Sequence, residues 1–132
     1  MKATSVSIFN SALLRVEDAP TVHDELTRRL GTPDTCFNEP PDQRGSLWVI
    51  ESPASARSDI NEHFTWASSL VERHSDFLRA LVTSGVRVTL HLACNTNLGY
   101  ALIGFDTALF SPFVHTGIEI EFYAGFDSTN VA

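Results

Sequence analysis

The sequence predicts an α+β fold in two layers, a mixed or antiparallel sheet of about four to five strands with helices on one face. Three stretches carry that expectation. Across GVRVTLHLA, residues 85–93, Val86, Val88, Leu90 and Leu92 alternate with Arg87, Thr89 and His91. This is the period of two that gives a strand one buried and one wetter face. Ile60, Phe64, Ala67, Val71, His74, Leu78 and Leu81 recur at steps of three and four, the spacing of a helix with one apolar side. Ile118, Ile120 and Phe122 alternate with Glu119, Glu121 and Tyr123, which reads as a second half-buried strand. The 85–93 strand is expected in the middle of the sheet, under the helices.

At 132 residues the chain has the size of a single domain, 1–132, able to bury a real core. A hydrophobic fraction of 43% and a charged fraction of 19% are those of a globular protein. No apolar run approaches the roughly 20 residues of a membrane span. Lys2 is not followed by the apolar core of a secretory signal, so the reading favours a cytoplasmic protein. Cys36 and Cys94 are two cysteines, too few for a disulfide framework. The net charge of −7 argues against general nucleic-acid binding, which needs a basic surface. It suits solubility, or attraction to a basic partner.

In chain order, residues 4–9 read as a first strand, with Val6 and Ile8 on one side. Ala12 to Val16 is ambiguous between strand and helix. Asp18 is expected to cap a helix with Pro20 in its first turn and the stripe Ala19, Val22, Leu26 and Leu30. Arg28 and Arg29 suit its C-terminal dipole, and Gly31 and Pro33 end it. GTPDTCFNEPPDQRG, residues 31–45, reads as a long irregular connection anchored by Cys36 and Phe37. SLWVIES, residues 46–52, is a strand. Its continuous apolarity implies cover on both faces or an interface with another subunit.

Ser58 or Asp59 is expected to cap the long helical pattern, and Asp59 with Glu62 has the spacing of a capping box. The pattern would span roughly 37 Å if unbroken, and Ser75 with Asp76 offers a fresh start, so a break is expected near His74. After residues 85–93, Asn95 to Asn97 reads as a turn and residues 98–105, LGYALIGF, as a strand pairing back as a hairpin. Asp106 caps a short helix that contains Pro112 and stops at Gly117. Trp48, Phe64, Val88, Leu90 and Ile120 are the expected core. Two strand–helix–strand units suggest a ferredoxin-like arrangement with a helical insertion before Gly85.

These features together resemble a family of small, mainly bacterial proteins, domain of unknown function 4279. The likeness rests on the early strand and helix ending in Leu30-Gly31, on Gly45-Ser46-Leu47-Trp48, and on the long helix through Phe64 and Trp66. The valine-rich strand and the closing Ile118-Glu119-Ile120-Glu121-Phe122-Tyr123 complete it. It spans nearly the whole chain, which departs from the family pattern in the proline-rich segment around Pro40-Pro41. The resemblance implies an α+β fold and supplies no catalytic residues.

Four constellations bear on chemistry. His91 and Cys94 could ligate zinc, but a structural site needs four ligands, and these two fall on opposite faces of a straight strand. Cys36 or Cys94 could be a nucleophile, yet nothing in the sequence places a base beside either thiol. Glu119 and Glu121 share a strand face and could do acid–base work or hold a cation, though a solvated face paired with Arg87 and His91 is the commoner arrangement. Glu62, His63, Trp66 and His74 lie along the long helix, where a histidine on an apolar stripe is more often a core residue than a ligand. No phosphate-binding glycine loop is present. The sequence therefore assigns no catalytic, cofactor-binding or metal-binding residue.

It points to a non-enzymatic binding or protein-interaction module, in one form an immunity-type inhibitor of a basic toxin. Its surface would include Phe37, Arg87, His91, Glu119 and Glu121. It allows a protein partner or a homo-oligomer, without nucleic acid or membrane. The alternative is a small-molecule-binding or enzymatic domain with a pocket rimmed by residues 31–45.

Overall fold

A computed structural model describes residues 8–38, 45–97 and 102–126. It contains a five-stranded mixed sheet and helices that pack on one of its faces. The elements are β1 (Ile8–Glu17), a 3₁₀ turn (Pro20–Val22), α1 (His23–Leu30), β2 (Thr35–Asn38), β3 (Ser46–Glu51), α2 (Ile60–Arg73) and α3 (Ser75–Thr83). They continue with β4 (Arg87–Thr96), a 3₁₀ turn (Thr107–Phe110), α4 (Ser111–Thr116) and β5 (Glu119–Phe126).

The strand order is β2-β3-β1-β4-β5. β1 is antiparallel to β3 and β4, β2 is antiparallel to β3, and β5 runs parallel to β4. The first four strands therefore form two interlocked split units. β1–α1–β2 straddles β3, and β3–α2–α3–β4 straddles β1, which is the ferredoxin-like order. β5 is an addition at the β4 edge, reached through α4. The second crossover is the predicted interrupted helix, with His74 ending α2 and preceding α3. The 85–93 strand is interior, but the middle strand is β1.

Several expectations are corrected. The strand begun near residue 8 continues through the ambiguous Ala12–Val16, because Ala12, Leu14 and Val16 are buried beside Leu92, Leu90 and Val88 of β4. Residues 4–7 lie outside the described residues. Asp18 does not cap α1. It sits at φ 55° in the turn after β1, and its amide donates to the Ser46 carbonyl at 3.0 Å. Gly45, at φ 76°, approaches so closely that a Cβ there would collide with the Asp18 carboxylate. The 31–45 connection is not wholly irregular, since Thr35–Asn38 pairs with β3 as an edge strand. β4 runs on through Asn95 and Thr96, so the turn placed there is absent. Residues 102–105 form no strand, and 98–101 lie outside the described residues. β4 already has β1 on one edge and β5 on the other, leaving no edge for a hairpin. Pro112 sits in the first turn of α4, where its missing N–H costs nothing.

The core lies between the helices and one face of the sheet. Leu14, Trp48, Phe64, Val71, Leu78 and Leu90 are fully or almost fully buried. Trp48 Nε1 donates to Thr27 Oγ1 at 3.1 Å, which ties α1 to β3. Phe64 of α2 meets Phe105, Phe110 and Phe113 with ring centroids 5.0–6.0 Å apart, joining α4 and its approach to the same core. Ile120 is half-buried against this core rather than enclosed by it. Asp59 caps α2 by accepting from the Asn61 amide at 2.8 Å.

Candidate functional site: the open face of the sheet

Paired residues on neighbouring strands point to the same face, so the register defines the opposite side of the sheet row by row. One row runs Phe37, Leu47, Glu17, Arg87. The next runs Thr35, Val49, Arg15, Thr89, Glu119. The third runs Glu51, Leu13, His91, Glu121, and a fourth holds Ser11, Ala93 and Tyr123. None of these residues belongs to the helix-covered core or packs against it. Among the described residues no helix covers this face.

All five residues expected on an interaction surface fall on it. Arg87, Glu119, His91 and Glu121 occupy neighbouring positions of β4 and β5, and Phe37 lies half-buried on the far edge strand. The expected adjacency of β4 and β5 holds, with Arg87 Nη2 at 3.7 Å from Glu119 Oε2. Glu121 instead takes a hydrogen bond from Arg15 Nη2 at 2.6 Å. Arg15 reaches from β1 over β4 to do so. It also lies 2.8 Å from Glu17, which faces Arg87 at 3.5 Å. The result is one chain of alternating charge, Glu121–Arg15–Glu17–Arg87–Glu119.

Thr89 lies on β4 beneath this chain and is fully buried although no helix among the described residues covers its side of the sheet. The charged groups are partly wet, so each pair contributes at most about 1 kcal/mol. Their larger effect is to order the face.

Arg15 and Glu17 are absent from the expected surface because residues 12–16 read equally as strand or helix. The alternation of Ala12, Leu14 and Val16 with Leu13, Arg15 and Glu17 was the signal. Beside the charged chain lies an apolar area. Leu13, Leu47 and Phe37 are half-buried and Val49 is buried, covered by neighbouring side chains rather than a helix. Phe9 and Tyr123 stand exposed toward the other end. Four glutamates, Glu17, Glu51, Glu119 and Glu121, outnumber Arg15 and Arg87, so the face keeps the negative sign of the whole chain.

The other constellations separate. His91 and Cys94 point to opposite faces, and burial pushes the Cys94 thiol upward, away from its thiolate. His63 is buried and bonded to Ser52 Oγ and the Ser55 carbonyl, each at 2.9 Å, as a satisfied core histidine. His74 marks the α2–α3 junction, where burial lowers its pKa and Arg73 adds to the effect. Among the described residues no three His, Cys, Asp or Glu side chains converge as a metal site. Cys36 and Cys94 are both free thiols. The structure does bring a histidine to Cys36, since His23 Nδ1 lies 3.4 Å from its Sγ.

Among the described residues, two of the cavities beside the sheet bear on the expected sites. One, of about 310 Å³, is lined by Glu17, Asp18, Phe37, Ser46 and Leu47. The other, of about 300 Å³, includes Asn10, Arg57, Asp59 and Cys94. No helix among the described residues is long and apolar enough to cross a membrane. Comparison with family models, curated proteins and solved structures finds no match.

Proposed function

We propose that this protein is a non-enzymatic interaction module that docks a partner with a basic surface on the open face of its sheet. The observation that carries this reading is the face itself. Five strands present it without helical cover among the described residues, and it joins an apolar area to an excess of carboxylates. A face of that kind offers aromatic and aliphatic contact area for burial, while the carboxylates steer and orient a cationic partner. The ion-pair chain supports the reading further, because ordered side chains lose less entropy on binding.

In its concrete form the module is an immunity-type inhibitor of a basic toxin, acting in the cytoplasm of a bacterium. Kinship with the domain of unknown function 4279 family belongs to the same proposal and rests on the sequence features that resemble it. Self-association through this face would set carboxylates against carboxylates, so a basic heterologous partner fits better than a second copy.

The test is affinity capture from native lysate with the wild-type chain and the Glu119→Lys/Glu121→Lys variant, matched for thermal stability. The expected result is a basic protein retained by the wild type, released by salt and absent from the variant. The same retained set on both, or none on either, contradicts the proposal.

A second reading has one observation in its favour. The 310 Å³ cavity beside residues 31–45 is walled by Glu17, Asp18, Phe37, Ser46 and Leu47, so carboxylates and apolar groups meet in it. Its size is at the lower end for a small-molecule site. A small molecule copurifying with the wild-type chain would favour a binding or enzymatic domain over an interaction module.

A further inference from the structure

Cys36 and His23 come together through tertiary structure alone. His23 opens α1, Cys36 lies on the edge strand β2, and the fold sets Cys36 Sγ 3.4 Å from His23 Nδ1. Cys36 is exposed, whereas His23 is only 8% exposed. The imidazole thus sits behind the thiol and leaves the outer side of the sulfur open to a reagent. His23 Nε2 is buried with no hydrogen-bond partner among the described residues, so none of them fixes the ring in the tautomer that would deny Nδ1 to the thiol. Burial lowers the His23 pKa, opposed by the neighbouring Asp24 carboxylate. The ring is therefore neutral near pH 7 and able to take a proton, and the Asp24 carboxylate offsets part of the cost that burial sets on the imidazolium.

We propose that Cys36 is a nucleophilic thiol with His23 as its base, and that its substrate class is the low-molecular-weight disulfides. In the step, His23 Nδ1 takes the thiol proton as Cys36 Sγ attacks one sulfur of the disulfide. A new S–S bond forms to Cys36 and the reagent's own S–S bond breaks. The leaving thiolate then takes the proton from the imidazolium and departs as a thiol. The protein thiol is oxidised and one sulfur of the reagent is reduced, so the exchange balances without another reactant. Cys94 has no such role, since it is buried and its thiol pKa is raised.

Glutathione disulfide is the probe, with intact and peptide mass spectrometry as the readout. The folded protein should take up one glutathionyl group at Cys36, at least about tenfold faster than a peptide of residues 34–38, in line with assistance by a positioned base. Cys36→Ser should take up none under the same conditions. His23→Gly should slow the reaction about tenfold, and added free imidazole should restore most of it, which a merely structural role for His23 would not produce. A His23→Gly rate equal to wild type, no rescue by imidazole, or labelling at Cys94 would overturn the proposal. Should His23→Gly fail to fold, the comparison of the wild-type protein with the peptide decides. Equal rates there would reject activation of Cys36.

Discussion

On β4, Val88, Leu90 and Leu92 point into the helix layer, while Arg87, Thr89 and His91 point away from it. The same division runs through β1, where Leu14 and Val16 face α2 and Leu13, Arg15 and Glu17 face outward. The two sides are covered by different means. On the helix side, burial comes from aliphatic and aromatic groups packed across a layer boundary, a contribution that scales with apolar area removed from water. On the open side, Thr89 and Val49 are hidden by side chains from adjacent strands, chiefly an ion-pair chain and half-buried aliphatics. The first side holds the fold together. The second is ordered but contributes little to stability, which leaves it free for recognition.

The largest expected effect breaks the first side. Phe64→Ala removes the ring shared by Phe105, Phe110 and Phe113 and should lower the unfolding free energy by about 3–5 kcal/mol in urea titration. A much smaller loss would mean that α4 and its approach do not share the core of α2. At the small end, Glu121→Gln removes the acceptor of Arg15 on the open side. It should change stability by at most about 1 kcal/mol, because both partners are partly solvated. A larger cost would make the ion-pair chain part of the fold's foundation.

The sequence made the helix-covered face readable because its signal is local. Val88, Leu90 and Leu92 on β4, and the stripe of α2 and α3, show their periods within a few turns or pairs. The open face was readable where one strand alternates cleanly, as with Glu119 and Glu121. It was lost where Leu13 interrupts the polar positions of β1. β2 was not legible, since four residues, TCFN, bounded by a loop carry too little pattern to announce an edge strand. Its pairing with β3 is a tertiary matter.

Asp18 had the chemistry of a helix cap, but the turn into β3 requires it at a left-handed φ against Gly45. The apolar run at residues 98–105 suggested a hairpin partner for β4. β1, paired with β4 over ten positions, holds that edge instead. The approach of His23 to Cys36 depends on β2 folding back beside α1, so no spacing in the sequence could reveal it.

The division of labour between the two faces is tested most directly by Leu13 and Leu14. They are adjacent on β1, identical in chemistry and opposite in direction. Leu14 is fully buried against the helix layer, and Leu13 is half-buried on the open face. The measurement is the difference in unfolding free energy between Leu14→Ala and Leu13→Ala under the same conditions. Leu14→Ala should cost about 2–5 kcal/mol, and Leu13→Ala about 1 kcal/mol, the scale of a partial loss of buried apolar area. Equal costs at the two positions would contradict the account, because the open face would then be as much a part of the folded core as the face beneath the helices.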